Sequence, residues 1–509
     1  MPVNATLPIL IQALLEPRRY PGDAGHVELV QTHISWVLLA GAFAYKIKKP
    51  VILPFLDFST LALRKKYCED ELRLNRRFSP EIYQDVVAIF HTLQDPRFEG
   101  SGQPIEYAVR MHRFDEAARL DRVCTRGELH CAHLSGLAGT LAAFHATALR
   151  AAPGSRHGSP VEVMAPMRDS LRDLLAWSPD TAVTLRLQAL QAWTETQFEQ
   201  LEPLLHKRQQ SGWVRECHGD LHLANLVLIN DRVQMFDCIE FNDELRWIDV
   251  ASEIAFTYID LISNAQPGMA NWFVNEMWDC TGDYEAVPIF RFYAVYRALV
   301  RAKVSAIRMR QTHQDDAQAL AYLALAAGLM SPQPLRLVIT HGLSGCGKTM
   351  ASSALLQSDS HACTVRVRSD TERKRISGLA GSAHSASGLG AGIYTADMDA
   401  RTYRRLMELT GSLLDAGWSV IVDATFLKLA DRASFRALAQ RVGAAFSILA
   451  PEATSEQLRE RIVARHAQGT DASEATLDVL SRQLDAMEPL TSQEREWTVT
   501  VDEALGNYR

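Results

Sequence analysis

The 509 residues predict a multidomain protein of mixed α/β and α+β class, and three observations carry that expectation. A small lobe of mixed strand and helix texture opens the chain, over about residues 1–110. Helical periodicity dominates from about 115 to 330. After 331, short apolar runs alternate with helical patterns, which implies a parallel sheet covered by helices on both faces.

Taken in order, Trp36–Leu39, Phe43–Lys48, Val86–Ile89 and Ile105–Met111 are apolar runs of strand length, and the charged stretch Thr60–Arg77 reads as a helix. Leu134, Leu137, Leu141 and Phe144 recur at helical spacing and make one apolar face. Ala152–Pro160 is a loop by its Pro, Gly and Ser content. The helix Ala317–Met330 is ended by Ser331-Pro332-Gln333-Pro334, because neither proline can continue it. That joint divides the chain into 1–330 and 331–509. Beyond it the strands are Leu335–Thr340, Thr364–Arg368, Ser419–Asp423, Phe446–Ala450 and Trp497–Val501. Helical patterns cover Thr402–Asp415, Ser455–His466 and Ser473–Met487, and Gly381–Gly392 predicts a mobile loop.

Composition excludes several classes. Lys and Arg number 53 and Asp and Glu 60, a net charge of −7, which argues against a generic nucleic-acid coat or membrane-surface binder. Hydrophobic residues at 47% and charged residues at 22% exclude disorder as the main state. The longest apolar runs, Trp36–Tyr45 and Ala319–Met330, fall short of the roughly 20 residues of a membrane helix. The N-terminus lacks a basic segment before its short apolar stretch, so a cytoplasmic protein is expected. Eight scattered cysteines form no C-x-x-C pair and read as free thiols, and the Cys124, His130, Cys131, His133 spacing fits no zinc pattern.

The segment Gly342-Leu343-Ser344-Gly345-Cys346-Gly347-Lys348-Thr349 fits G-x-x-x-x-G-K-[ST] between a strand and a helical pattern. Glycines let backbone N–H groups turn inward around phosphate oxygens, and the helix N-terminus adds positive potential. Lys348 is placed to reach the terminal phosphates of ATP, and the Thr349 hydroxyl to ligate Mg²⁺. Asp423 ends an apolar strand, either as a metal or water ligand or as a turn residue. Asp370 and Arg373 follow the second strand. Asp370 reads as a proton acceptor with Arg373 holding an anion, or Asp370 as a helix N-cap aspartate. Arg461 and Arg465, one helical turn apart, are either a phosphate-neutralising lid or solvated helix charges.

Upstream, His218-Gly219-Asp220-Leu-His222-Leu-Ala-Asn225 precedes a hairpin, Leu226–Ile229 and Val233–Phe236, that ends in Asp237. Phosphoryl transfer to a hydroxyl needs a base at the acceptor and oxygen ligands for Mg²⁺. An Asp and an Asn five residues apart, with an Asp after a hairpin, supply those parts.

These motifs resemble known families. HGDLHLAN, FDCIEF and RWIDVASEIAF are similar to the aminoglycoside phosphotransferase and choline-kinase-like group, which implies a bilobal protein-kinase-like fold. The resemblance implies Asp220 as catalytic base and Asn225 and Asp237 as Mg²⁺ ligands. It implies that His218 and Asp249 orient the catalytic loop. Phe43-Ala44-Tyr45-Lys46 stands where a phosphate-binding lysine is expected, with Lys48 as the alternative. Glu71, or else Glu69, is then its helix partner, and Ile105–Phe114 the hinge behind adenine. Residues 335–500 resemble P-loop kinases such as polynucleotide 5′-hydroxyl kinases, zeta-toxin-like kinases and gluconate-type sugar kinases, implying a P-loop NTPase fold. The two motif sets in this order resemble the bacterial family described as bifunctional aminoglycoside phosphotransferase/ATP-binding proteins.

The departures matter. Ala40-Gly41-Ala42 holds a single glycine where a phosphate-covering loop is expected, and no acidic cluster suited to a polycationic acceptor is apparent. The expectation is a bifunctional ATP- and Mg²⁺-dependent phosphotransferase acting on hydroxyl groups of small molecules. The alternatives are a nucleotide-sensing C-terminal domain that gates the N-terminal kinase, or a C-terminal polynucleotide 5′-hydroxyl kinase, which the acidity does not favour. The oligomeric state is not readable from the sequence.

Overall fold

The computed structural model describes residues 7–508 except 23, 54–55, 313–315, 380, 382–394 and 469–475. Apart from Gly381, the segment expected as a mobile loop falls outside the described residues. Two compact units form. The first gathers Met1–Leu129, Ala143–Asp260 and Tyr296–Ala326, and the second His130–Ala142, Leu261–Val295 and Ala327–Arg509.

The first unit opens on a six-stranded antiparallel sheet in the order Val27–Gln31, Ser35–Ala40, Phe43–Lys48, Glu106–His112, Tyr83–His91, Pro96–Arg97. In Phe43–Lys48 the side-chain alternation of a strand sorts chemistry by face. Tyr45 and Ile47 enter a core with Leu38, Ile89 and Ala108. Ala44 faces the other way, into a core with Cys68 of the helix Leu61–Asn75, and Lys46 and Lys48 share that face. The helix starts where expected, because the Thr60 hydroxyl accepts the Leu63 N–H. The strand Val27–Gln31 was not anticipated; it pairs with Ser35–Ala40.

Long helices follow, Pro160–Trp177 capped by Ser159 and Thr181–Gln210 capped by Asp180. The hairpin pairs Leu226–Ile229 with Arg232–Met235, one residue earlier than the expected second strand Val233–Phe236. Its two-residue turn needs positive φ at both positions, and Asn230 (49°) and Asp231 (62°) supply it.

The second unit holds a five-stranded parallel sheet in the order Thr364–Arg368, Ser419–Asp423, Arg336–Thr340, Ala445–Leu449, Thr498–Val499. The strand carrying the phosphate loop is therefore central. The edge strand Thr364–Arg368 does not expose its polar backbone, because the helix Pro267–Thr281 runs along it. Asn275 Nδ2 donates to the Thr364 carbonyl at 2.9 Å, and its Oδ1 accepts the Arg366 N–H at 2.6 Å. One turn earlier, Asn271 Oδ1 accepts the Thr364 N–H at 3.3 Å and its Nδ2 donates to Leu356 O at 3.1 Å. Two asparagines at helical spacing thus stand in for a missing neighbour strand. Gly268 permits the approach, since a Cβ there would lie 1.8 Å from the Gln357 carbonyl oxygen.

All eight cysteines are free. Among the described residues, no helix is long and apolar enough to cross a membrane.

Candidate active sites

In the first unit, the site is assembled from the lysine strand, the helix Leu61–Asn75 and the loops around the hairpin. Lys46 Nζ lies 2.7 Å from Glu71 Oε1 and 2.5 Å from Asp237 Oδ1. Lys48 Nζ lies 2.7 Å from Glu71 Oε2 and also pairs with Glu240. Of the two lysines only Lys46 meets Asp237, whose side chain is 43% exposed, whereas Lys48 is fully buried. Glu71 is the acid that turns inward; Glu69 pairs with Lys65 on the helix exterior. Burial works against the charge on Glu71, yet the two ammonium groups pull its carboxyl down to about 2.

Asp237 sits at φ 63°, and its N–H donates to the Tyr83 hydroxyl at 3.0 Å. The Cys238 N–H donates to Asn75 Oδ1 at 2.9 Å, so the end of the glutamate helix holds this loop. Asn225 Nδ2 donates to the Asp220 carbonyl (2.9 Å) and to Asp220 Oδ2 (3.2 Å), which locks the spacing between them. His222 Nε2 is 3.4 Å from Asp220 Oδ2. Burial opposes ionisation of Asp220, but His222 and the nearby Arg301 guanidinium hold its carboxyl well below the usual range. Burial pushes the His218 imidazole below its usual pKa, and its Nε2 bonds the Phe236 carbonyl at 2.8 Å.

Sequence reasoning missed Glu253. Its Oε1 accepts the backbone N–H of His218 and, at 3.0 Å, that of Gly219, while Oε2 meets His145 Nε2 at 2.5 Å. Asp249, expected to orient the loop, pairs with Arg208 at 2.7 Å and caps the Ala251 N–H. Asp260 accepts the Leu223 N–H at 2.9 Å, so a second acid of the same helix, Val250–Ser263, supports the loop. Two acids in an otherwise apolar helix were the available signal.

In the second unit the phosphate loop curls before the helix Lys348–Ser358. Gly345 is at φ 88°, and a Cβ there would lie 3.0 Å from the Leu458 carbonyl oxygen. Lys348 Nζ folds back onto the carbonyls of Gly342 (2.9 Å) and Leu343 (2.8 Å), and Cys346 Sγ lies 3.8 Å from it. Thr349 is the second residue of the helix, and Ser352 one turn on donates to Asp423 Oδ2 at 3.2 Å. Thr349 and Asp423 therefore flank one corner of the loop. Arg461 Nη1 donates to Gly345 O at 3.2 Å. Arg465 is in the same helix, Ser455–Gln468, but its side chain lies outside the described residues.

Asp370 is in the first turn of the helix Ser369–Ile376, where Arg368 is the N-cap residue. Arg373 pairs with Asp399 at 2.5 Å, so this arginine faces a carboxylate of its own chain. Also unforeseen, Gln483 Oε1 accepts the Ser344 N–H at 2.8 Å. No sequence pattern marks Gln483.

The oxygen donors Asn225 and Asp237, and likewise Thr349 and Asp423, suit a hard cation such as Mg²⁺. Lysines and inward backbone N–H groups suit phosphates. Among the described residues, the one group with metal-ligating atoms close together is His145, Cys217 and Glu253, all buried behind the catalytic loop.

The comparisons agree with this division of chemistry. Residues 56–276 match the family model described as phosphotransferase enzyme family, and residues 337–490 match the model described as AAA domain. An uncharacterized protein of Mycobacterium tuberculosis is 29% identical over 466 residues, covering 91% of each chain. Among solved structures, amicoumacin kinase hAmiN in complex with AMP-PNP, Ca²⁺ and Ami is 12% identical, covering 63% of this chain and 92% of that one, with a TM-score of 0.40. A sugar kinase from Janibacter sp. HTCC2649 is 20% identical, covering 34% of this chain and 92% of that one, with a TM-score of 0.25. The chain is a kinase-type phosphotransferase, with a kinase-like domain of the phosphotransferase enzyme family followed by a P-loop domain of the AAA kind.

Proposed function

We propose that the chain is a bifunctional ATP-dependent phosphotransferase, with one Mg·ATP centre in residues 1–330 and a second in 331–509. The observation that carries the first centre is the ion-pair chain Glu71–Lys46–Asp237 beside the locked Asp220–Asn225 pair. Lys46 would hold nucleotide phosphates, and Asn225 and Asp237 the metal. Asp220, kept ionised by His222 and the Arg301 guanidinium beside it, would take the proton of the acceptor hydroxyl. His218 stays neutral and shapes the loop. Magnesium, when bound, supplies charge neutralisation on the transferring phosphoryl group.

At the second centre Gly342, Ser344, Gly345, Cys346, Gly347 and Lys348 would cradle the phosphates, with Thr349 and Asp423 toward the metal. Arg461 and Arg465 would cover the loop. Asp370 is the proposed base toward the acceptor; Arg373 would meet an anionic acceptor only by exchanging Asp399 for it. Small-molecule alcohols are the proposed acceptors of both centres, with a nucleic-acid end a less favoured one for the second. Eight free cysteines support a reducing, cytoplasmic setting.

The test is transfer from γ-labelled ATP to a panel of aminoglycosides, small alcohols, sugars and oligonucleotides, comparing wild type with Asp220→Ala and Lys348→Ala. Each variant is expected to lose one set of products. If neither substitution lowers any transfer or ATP hydrolysis, the bifunctional reading fails.

A further inference from the structure

The lysine strand offers two ammonium groups where phosphate binding needs one. Lys48 is 0% exposed, Glu71 0% and Glu240 4%, and the Lys48 Nζ also lies 4.9 Å from the centroid of the Phe58 ring. A cation sealed this completely does not touch a nucleotide. Its desolvation is costly, and an apolar side chain of similar volume would fill the position with no such cost. Filling space therefore does not account for a lysine here.

What the buried groups connect does account for it. Lys46 and Lys48 are two residues apart on one strand face, and Asp237 and Glu240 three apart on one loop. Glu71 spans both lysines, one carboxylate oxygen to each (2.7 Å in both cases). Each lysine then grips one acid of the loop: Lys46 takes Asp237, and Lys48 takes Glu240. The strand, the helix Leu61–Asn75 and the metal-side loop are thus fastened twice. The outer fastening, through Asp237, is made of the groups that nucleotide and metal require. If nucleotide and metal bind as proposed above, Lys46 would turn to phosphate and Asp237 to the cation, and that fastening would open. The inner one has no such competitor.

We infer that Lys48 and Glu240 are positioning residues, a buried tie through Glu71 that keeps helix and loop in register while Lys46 and Asp237 exchange each other for phosphate and metal. The inference rests on the nucleotide site proposed above. It also implies that the glutamate helix does not swing outward as a switch, because Glu71 is held by two cations.

Calorimetric titration of ATP with and without Mg²⁺ tests the tie, using the full chain carrying Lys348→Ala so that only the first centre reports. The double variant Lys48→Met/Glu240→Leu removes both buried charges together and leaves Glu71 with Lys46 as its remaining ammonium partner. It is expected to keep the melting temperature within a few degrees but to lose about tenfold or more of the Mg²⁺-dependent gain in affinity. Glu240→Gln, which leaves an acceptor for Lys48, is expected to lose part of that gain. Lys46→Ala is the control on the site itself. Loss of ATP binding in Lys46→Ala with a full Mg²⁺ gain in both tie variants overturns the tie alone. Unchanged binding in Lys46→Ala overturns the site reading instead.

Discussion

Gln483 Oε1 accepts the Ser344 N–H at 2.8 Å, so a side chain from the helix Leu477–Ala486 occupies a backbone donor of the phosphate loop. A phosphate oxygen seeking that donor must displace the carboxamide. Gln483→Ala is expected to tighten nucleotide binding at the second centre by about fivefold, the equivalent of one net hydrogen bond. Titration with ATP in an Asp220→Ala, Lys46→Ala background reads this directly. Weaker binding would show instead that Gln483 contacts the nucleotide.

Lys348 presently caps the carbonyls of Gly342 and Leu343, which keeps the loop closed around its own backbone. Lys348→Ala is expected to cut nucleotide affinity at that loop by at least about tenfold. In calorimetry the stoichiometry should fall from two nucleotides per chain to one. An unchanged stoichiometry would refute the second centre.

Glu253 makes the catalytic loop sensitive to acid. Burial opposes its charge, but His145 and the backbone N–H groups it accepts pull its carboxyl from the ordinary 4.5 down to about 2. A folded value below the unfolded one means that ionised Glu253 contributes stability fully above pH 4.5. That contribution is lost as pH falls from 4.5 toward about 2. Glu71 acts in the same direction. Urea unfolding across that interval should show a steep loss of stability, and Glu253→Gln should flatten the slope while lowering stability at neutral pH. A slope identical to wild type would contradict the assignment.

Asn275 closes the edge of the second sheet with two buried hydrogen bonds. Asn275→Leu keeps the volume but leaves the Thr364 carbonyl and the Arg366 N–H without that partner. A loss of roughly 2 to 4 kcal/mol in denaturant unfolding of the second unit is expected. Asn275→Asp keeps one acceptor and should lose less. Equal stability of Leu and wild type would mean that the edge finds another partner.

Much of this was legible in the residues, and the reason is local. Ser419–Asp423 is legible at its observed bounds because a central parallel strand is a near-continuous apolar run, and Thr364–Arg368 because two valines alternate with arginines at strand spacing. The phosphate loop was legible because a glycine spacing dictates a backbone path within eight residues. Asp220, Asn225 and Asp237 were likewise grouped by a short loop and a hairpin, and the hairpin turn follows from Asn230 and Asp231.

Other relationships join residues far apart in sequence, and no local pattern encodes them. Spacing left Lys46 and Lys48 equivalent, since both point to one strand face; only the folded chain gives Asp237 to one and Glu240 to the other. Glu253 accepts the His218 and Gly219 amides because the helix Val250–Ser263 presents that turn to the loop, a contact more than thirty residues away in sequence. Arg373, read as an anion holder, is paired with Asp399, twenty-six residues away, a contact no local pattern encodes.

The residues alone determined the phosphate-loop motif, the grouping of Asp220, Asn225 and Asp237 on one loop and hairpin, and the mixed α/β and α+β architecture that carries them. Those depend on backbone preferences and side-chain types within a few turns or one strand. Tertiary structure decided the pairings, which acid meets which cation and which amide meets which carbonyl. Such pairings are set by burial, where an unpartnered charge or backbone group costs more than the fold can spare, and burial is a property of the assembled chain.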